Sequence, residues 1–321
     1  MIRQAVRRWI WIAVVVVIGL AAIAALGDVR QLAHRLAGFH WLAFVAALAL
    51  ALANYLIRFA RWQLYLRRQA IDVPRGGSAL VFGAGLSLSI TPGKVGELVK
   101  SYLLRDLYGV PGTRSAPIVV AERVTDLVAL LVLAVLGAAV YGIATTLVIA
   151  AAAVVGLGLI LLAWPRPTFA VIALVTRPRR LQRWHAPLQE IYTGLASLCF
   201  PRTLLAATAL AVPAWGCECV GFALIIHGFP GAHIDLGAAM AIYAATTIAG
   251  ALSFLPGGLG VTEGAMTMLL VRGAARLDGS TALDATLLTR LATLWFAVLL
   301  GLGCLALARR RLARAILTKC R

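Results

Sequence analysis

The stretch LSITPGKVGE, residues 88–97, interrupts a long apolar segment, and a second stretch, LSFLPGGLG at residues 252–260, interrupts another. Both follow the pattern Leu-Ser-x-x-Pro-Gly-x-aliphatic-Gly, with an acid close behind at Glu97 and Glu263. Proline lacks the backbone N–H that a helix needs, and glycine adopts left-handed conformations easily, so each stretch predicts a break between two helices. Each break is followed by an apolar run with an arginine near its start, at Arg123 and Arg290.

Composition places the chain in a membrane. Hydrophobic residues make up 62% of it and charged residues 13%, against roughly a quarter in a soluble domain. A disordered chain is excluded and a soluble single domain is disfavoured. A spanning helix needs about 20 apolar residues. Six segments are predicted to span: 9–26, 39–57, 116–141, 145–164, 203–226 and 282–308. The first has features of a signal peptide, but its long apolar run favours an uncleaved span.

The net charge of +18 acts mainly as an orientation signal. Nucleic-acid binding is disfavoured, because long apolar runs separate the basic residues. If the N-terminus is cytoplasmic and each break enters and leaves on one side, 24 of the 30 Lys and Arg residues lie on the cytoplasmic face, as the positive-inside rule requires. A break that crossed fully would place the C-terminal basic cluster outside. Both breaks are therefore predicted to be re-entrant helical hairpins, with both termini cytoplasmic.

This topology divides one transmembrane domain, residues 1–321, into two related units. Residues 39–142 form a first repeat of span, hairpin and span, and residues 203–308 form a second repeat of opposite orientation. Residues 143–202 connect them through a span and a cytoplasmic amphipathic segment. The predicted fold is thus an all-α polytopic membrane protein with about six full spans and two re-entrant hairpins in an inverted repeat, a design used by transporters. The alternative is that each Pro-Gly pair merely kinks an ordinary span.

The broken backbone and the charges near it predict a binding site. Unpaired N–H and C=O groups survive only inside protein or beside a wet cavity, and a helix that restarts beside Lys94 offers a seat for phosphate or carboxylate. Charges in or near apolar spans cost about 3 kcal/mol each when unpaired. They are Glu97, Glu122, Arg123, Asp126, Glu218, Glu263 and Arg290. They indicate either a polar cavity for a charged headgroup or a structural ion-pair network.

The predicted substrate-binding residues are Pro92, Gly93, Lys94, Gly96, Glu97, Lys100, Glu122, Arg123, Asp126, Pro256, Gly257, Gly258, Gly260, Glu263 and Arg290. Lys94, Arg123 and Arg290 would engage anionic phosphate. Glu97, Asp126 and Glu263 would engage a cationic moiety, position the arginines or carry protons. No catalytic residue, metal or cofactor is predicted, since Cys217-Glu218-Cys219 has no His at ligand spacing and small buried thiols around one acid are the simpler interpretation.

Three motifs in order, PGKVGELVKSYLLR at 92–105, ERVTD at 122–126 and LPGGLGVTEG at 255–264, resemble the membrane region of lysyl-phosphatidylglycerol synthases. Arg58, Arg61 and Trp62 fit the same resemblance, which covers roughly residues 41–308. It implies a flippase-like transporter of the bacterial inner membrane. The bifunctional relatives carry an aminoacyl transferase domain after this region; the chain ends at Arg321 without one, so no enzymatic activity is expected.

We therefore expect a transporter that moves a phospholipid or a polyprenyl-phosphate-type lipid between leaflets of the cytoplasmic membrane. Its expected partners are membrane lipids with anionic headgroups, and not nucleic acid. A homo-oligomer and a separate lipid-modifying enzyme remain open as further partners. The alternative function is a membrane-embedded transferase, or an accessory subunit that presents lipid to an enzyme.

Overall fold

The computed structural model describes residues 35–141, 145–273 and 275–319, and these residues form helices without any strand. The predicted first span, 9–26, and the basic residues around it lie outside the described residues. The helices are α1 (Trp41–Arg68), α2 (Arg75–Leu86), α3 (Val99–Tyr108), α4 (Gly112–Tyr141), α5 (Thr145–Ala163), α6 (Pro165–Val175), α7 (His185–Leu198), α8 (Pro201–His227), α9 (Leu236–Leu252), α10 (Val261–Arg272), α11 (Gly279–Arg290) and α12 (Phe296–Lys319). Short 3₁₀ turns occupy Pro92–Leu98, Gln182–Trp184 and Pro256–Gly258, and a π-turn occupies Leu291–Trp295.

Three of the described helical segments are long and apolar enough to cross a membrane: Trp41–Arg68, Pro201–His227 and the continuous Gly279–Arg311. Large apolar side chains face outward from α1, among them Leu42, which is 80% exposed. Such side chains suit contact with lipid tails. The prediction of an all-helical membrane protein is confirmed. The count of six spans stays a prediction; α4 and α5 occupy the third and fourth of them.

Both Pro-Gly stretches separate two short helices that pack against each other. Helices α2 and α3 flank the first break, and α9 and α10 flank the second. The two breaks also contact each other directly. This places the two proline–glycine turns against each other, although parts of both remain exposed, such as Val95 and Phe254.

The contacts between the two predicted repeats follow a two-fold pattern. Helix α1 packs on its counterpart α8, while α2 packs on α12 and its counterpart α9 packs on α4. Two glycines allow the last two contacts to be close. A Cβ on Gly137 of α4 would lie 2.6 Å from the backbone nitrogen of Ala241, and one on Gly301 of α12 would lie 2.7 Å from the Cα of Ser87. Helices of each predicted repeat therefore pack on helices of the other repeat around the two breaks.

Asp278 caps the N-terminus of α11. Its carboxylate accepts hydrogen bonds from the Ser280 hydroxyl and, at 2.9 Å, from the Thr281 N–H, and these bonds lower the pKa of Asp278 to about 2. Because the folded-state pKa is depressed, the cap stabilises the fold above the unfolded pKa of about 3.9, and this stability is lost as the pH falls towards 2. We expect Asp278→Ala to cost about 1 kcal/mol of unfolding free energy at neutral pH. Thermal unfolding at decreasing pH checks this, since the difference from wild type should shrink; a constant difference would contradict it.

Candidate functional site

A cavity of about 380 Å³ lies between the two breaks. Its wall combines residues of both breaks with side chains from α1, α4, α8, α9 and α11. The breaks meet at its edge, because a Cβ on Gly93 would lie 3.3 Å from the Phe254 ring and one on Gly257 would lie 3.1 Å from Ile90. Residues of both predicted repeats therefore line the cavity.

The first break depends on left-handed backbone. Gly93 has φ +57° and Lys94 has φ +54°, and the latter costs a residue with a side chain about 1–3 kcal/mol. Thr91 closes the turn, since its hydroxyl accepts the Gly96 N–H at 2.7 Å and donates to the Leu88 carbonyl at 2.7 Å. Lys94 is thus held at the cavity wall in a conformation that the surrounding turn imposes.

The second break is held by an arginine. Arg290 Nη2 donates to the Gly257 carbonyl oxygen at 2.6 Å, and its Nε donates to Glu263 Oε1 at 2.6 Å. The other carboxylate oxygen of Glu263 accepts the Gly260 N–H at 2.7 Å. Two of these three bonds satisfy backbone groups that the break leaves free, the Gly257 carbonyl and the Gly260 N–H, as a membrane interior requires. The π-turn directly after Arg290 is of a kind that often marks functional sites.

The same arginine–glutamate pairing occurs at the first break. Arg123 Nη2 lies 3.2 Å from Glu97 Oε2, and the two residues are 26 apart in sequence, whereas Arg290 and Glu263 are 27 apart. Glu97 lies at the end of the first break and Glu263 in the helix after the second break, and each is joined to the span that follows. The correspondence between the two stretches thus extends from the sequence pattern to side-chain contacts.

Behind the first break lies a buried ion-pair cluster. Lys100, only 2% exposed, bonds Glu97 at 3.0 Å and also Glu122, and its ammonium lies over the Trp62 ring. Next to it, Arg61 donates to Asp126 Oδ1 at 2.7 Å. At these residues the geometry is that of a structural ion-pair network, the alternative to a headgroup cavity, because the charges neutralise one another and link α1, α3 and α4.

At the cavity wall, two cations flank one indole ring. The Lys94 ammonium lies 5.6 Å from the centre of the Trp215 ring and the Arg58 guanidinium lies 5.8 Å from it. Among the described residues, the Lys94 ammonium makes no ion pair or hydrogen bond, and the Arg58 guanidinium pairs only with Asp126, at 3.7 Å. Trp215 itself donates to Asp126 Oδ1 at 3.1 Å, which fixes the ring. An unpaired ammonium beside a guanidinium whose one acid partner among the described residues lies 3.7 Å away forms a seat for an anion.

The structure brings some of the predicted site residues to the cavity and leaves others behind it. Those that line it are Gly93, Lys94, Arg123, Asp126, Gly257, Gly258 and Arg290. Those that support it from outside its wall are Pro92, Gly96, Glu97, Lys100, Glu122, Pro256, Gly260 and Glu263. Lys100 and Glu122 in particular bind each other in the buried cluster rather than facing the cavity.

Among the wall residues that sequence reasoning did not assign to the site are Tyr55, Arg58, Trp215, Glu218 and Tyr243. Arg58 and Glu218 had a signal, since both are charged residues in or beside apolar spans. The tyrosines and the tryptophan had none, because an aromatic residue in an apolar helix is usually part of the packing.

A second depression, of about 520 Å³, lies between α6 and α7 and is lined by Thr176, Arg177, Arg183 and His185, among others. Both ring nitrogens of His185 are already engaged, with Thr176 at 2.6 Å and with Gln189 at 3.1 Å. This second depression lies in the segment that connects the two predicted repeats, and no residue of either break lines it. Among the residues that the structure describes, no group of three His, Cys, Asp or Glu side chains could hold a metal ion.

Comparison with protein families identifies the chain over most of its length. A family model described as the lysylphosphatidylglycerol synthase TM region matches residues 10–301. Comparison with curated proteins gives no match.

Proposed function

Because the chain belongs to the family of lysylphosphatidylglycerol synthase transmembrane regions, whose function is lipid-related and membrane-bound, we propose that it is a lipid flippase-like transporter. It moves a phospholipid or a polyprenyl-phosphate-type lipid between the leaflets of a bacterial cytoplasmic membrane. The observation that carries this proposal is the cavity between the two breaks, where two cations lie beside Trp215: Lys94, whose ammonium has no acid partner among the described residues, and Arg58, whose one partner there is Asp126 at 3.7 Å. The expected ligand is a lipid with an anionic headgroup.

The cavity is divided in a way that suits a lipid. Its polar part holds Arg58, Lys94 and Arg123, and its rim at the second break is apolar and outward-facing, with Phe254 71% exposed. A headgroup phosphate can occupy the polar part while the tails pass Phe254 and remain in the bilayer. Charged groups inside a protein cavity replace the water that the headgroup loses on leaving the surface, which lowers the barrier to crossing.

The two-fold exchange of contacts supports an inverted repeat around this site. In this proposal the first break enters from the cytoplasm and the second from outside, with both termini cytoplasmic, as the distribution of basic residues predicts. Two similar units that meet at one cavity can expose it to either side by small opposite movements, which is how inverted-repeat transporters work.

Arg123→Ala is expected to weaken binding of an anionic headgroup about tenfold. A charge-assisted hydrogen bond contributes about 1.5–3 kcal/mol, and the low end applies because Glu97 and Asp126 already pair with Arg123. The effect on folding should be small, because Glu97 keeps Lys100 and Asp126 keeps Arg61 as partners. Lipid binding by purified protein in detergent, with thermal unfolding alongside, measures both. Arg105→Ala, an exposed arginine of α3, is the matched control. Unchanged binding in Arg123→Ala would exclude a role for Arg123 with the headgroup.

Lipid transfer in proteoliposomes tests the function itself. Folded protein is reconstituted with a panel of labelled lipids that includes phosphatidylglycerol, an aminoacylated phosphatidylglycerol and a polyprenyl phosphate, and the label accessible from outside is followed with time. We expect protein-dependent transfer of at least one anionic lipid. Transfer of none of them by a demonstrably folded sample would contradict the proposal, and stoichiometric co-purification of a lipid enzyme would then favour the accessory-subunit alternative.

A further inference from the structure

Glu218, on α8, is the carboxyl group of the cavity wall that has no basic partner among the described residues. It is 6% exposed, and one of its oxygens accepts a hydrogen bond from the Tyr243 hydroxyl. The other buried acids near the breaks all have an arginine or lysine nitrogen within ion-pairing distance; they are Glu97, Glu122, Asp126 and Glu263. Glu218 therefore belongs neither to the buried ion-pair cluster behind the first break nor to the Arg290–Glu263 pair at the second, although it lines the same cavity.

A buried carboxylate without a cation is costly, by several kcal/mol even after the surroundings relax. The single bond from Tyr243 offsets only part of this, since a hydrogen bond to a charged group contributes about 1.5–3 kcal/mol. A bound proton removes the charge and with it the cost. The geometry therefore favours the protonated, neutral form of Glu218 when no cationic ligand occupies the cavity.

The charged and titratable groups that face Glu218 come from every neighbouring element. They are Tyr55 and Arg58 of α1, Lys94 of the first break, Asp126 of α4, Cys217 and Cys219 of α8, Tyr243 of α9 and Arg290 of α11. Arg58 and Lys94 attract negative charge, each from beyond ion-pairing distance of Glu218, and Asp126 repels it. An anion bound beside Trp215 neutralises the two cations and adds negative charge of its own, so it strengthens proton binding at Glu218.

We propose that Glu218 is a proton-binding site coupled to the anion seat, so that an anionic headgroup and one proton occupy the cavity together. This inference rests on the proposed function, and it makes the proton gradient across the membrane the energy source of lipid transport. The proton leaves water on one side, binds a carboxylate oxygen of Glu218 and is released to water on the other side, while no covalent bond of the lipid changes. Because coupling is reciprocal, a pH difference across the membrane drives the headgroup towards the side of higher pH.

Infrared difference spectroscopy of the full chain in lipid nanodiscs tests the proton site without any assumption about transport. We expect the carbonyl band of a protonated, buried carboxylic acid at neutral pH in wild type. The band should be lost in Glu218→Gln and retained in Glu190→Gln, which alters an exposed acid of α7. Adding phosphatidylglycerol at alkaline pH, where the band has faded, should restore it. A wild-type band that survives in Glu218→Gln, or no such band at any pH at which the protein is folded, would overturn the assignment.

Proteoliposomes with an imposed pH gradient test the coupling. We expect the affinity of wild type for acyl-labelled phosphatidylglycerol to fall about tenfold per pH unit above the midpoint of the infrared titration, the linkage for one proton. Glu218→Gln, which mimics the protonated form, should bind at every pH and respond to no gradient. Equal gradient responses in both proteins, or loss of binding by Glu218→Gln at every pH, would overturn the inference. Lipid transfer that is insensitive to the pH gradient contradicts only the coupling to protons. Absence of transfer of any lipid contradicts the proposed function, and in that case the infrared experiment alone decides whether Glu218 binds a proton.

Discussion

Replacing Lys100 with methionine is expected to lower the free energy of unfolding by about 3–5 kcal/mol, the cost of breaking a buried ion pair. Methionine preserves the long side chain that packs against Gly85, where a Cβ would lie 2.7 Å from Lys100 Cδ. It removes the ammonium, and Lys100 is the one ion-pair partner of Glu122 among the described residues. Glu122 is fully buried, so its charge is left uncompensated.

A double variant separates charge from packing. Lys100→Met combined with Glu122→Gln removes the orphaned charge, and we expect it to recover most of the stability that Lys100→Met alone loses, a coupling of the kind that double-mutant cycles measure. Thermal unfolding in one detergent compares the three proteins. Full stability of Lys100→Met together with lost lipid binding would instead make Lys100 a direct ligand of the headgroup, as the sequence predicts.

Lys94→Gly is expected to have the opposite signature, with binding lost and stability gained. Loss of a charge-assisted hydrogen bond costs about 1.5–3 kcal/mol, so affinity for an anionic headgroup should fall by at least tenfold. At the same time glycine relieves the left-handed strain of about 1–3 kcal/mol at φ +54°. Its greater freedom in the unfolded chain costs about 0.5–1 kcal/mol, so the unfolding free energy should rise by about 1 kcal/mol. Lipid binding and thermal unfolding of the same preparation measure the two effects.

Ala70→Gly is a matched control, because Ala70 is also left-handed, at φ +49°, but is exposed beyond the end of α1. It should gain similar stability and leave lipid binding unchanged. If Lys94→Gly bound lipid as wild type does, Lys94 would have no role at the anion seat. If it were less stable than wild type, the strain would not be the cost of presenting this side chain to the cavity.

The contrast between Lys94 and Lys100 shows where sequence reasoning stops. The breaks at Pro92 and Pro256 were predictable because proline and glycine act locally on the backbone. The two lysines lie in the same motif, only six residues apart, and nothing local distinguishes them. The turn after Gly93 is closed locally by Thr91. Which lysine faces the cavity depends on partners far away in sequence, Trp215 for Lys94 and Glu122 for Lys100.

Pairing between charges was only partly predictable for the same reason. The similar spacing of the two breaks from Arg123 and Arg290 was visible in the sequence, and the structure pairs these arginines with Glu97 and Glu263. That Asp126 takes Arg61 of a distant helix was not visible, nor was the placement of Trp215 beneath two cations. These contacts join α1, α4 and α8, and only packing of whole helices brings them together.

An experimental structure of the protein in nanodiscs made from its native membrane lipids would show directly whether the cavity binds a lipid headgroup. We expect density for a headgroup between the two breaks, with phosphate beside Lys94, Arg58 and Trp215 and with tails leaving past Phe254. Lipid density confined to the outer surface of the bundle, with only solvent between the breaks, would contradict it.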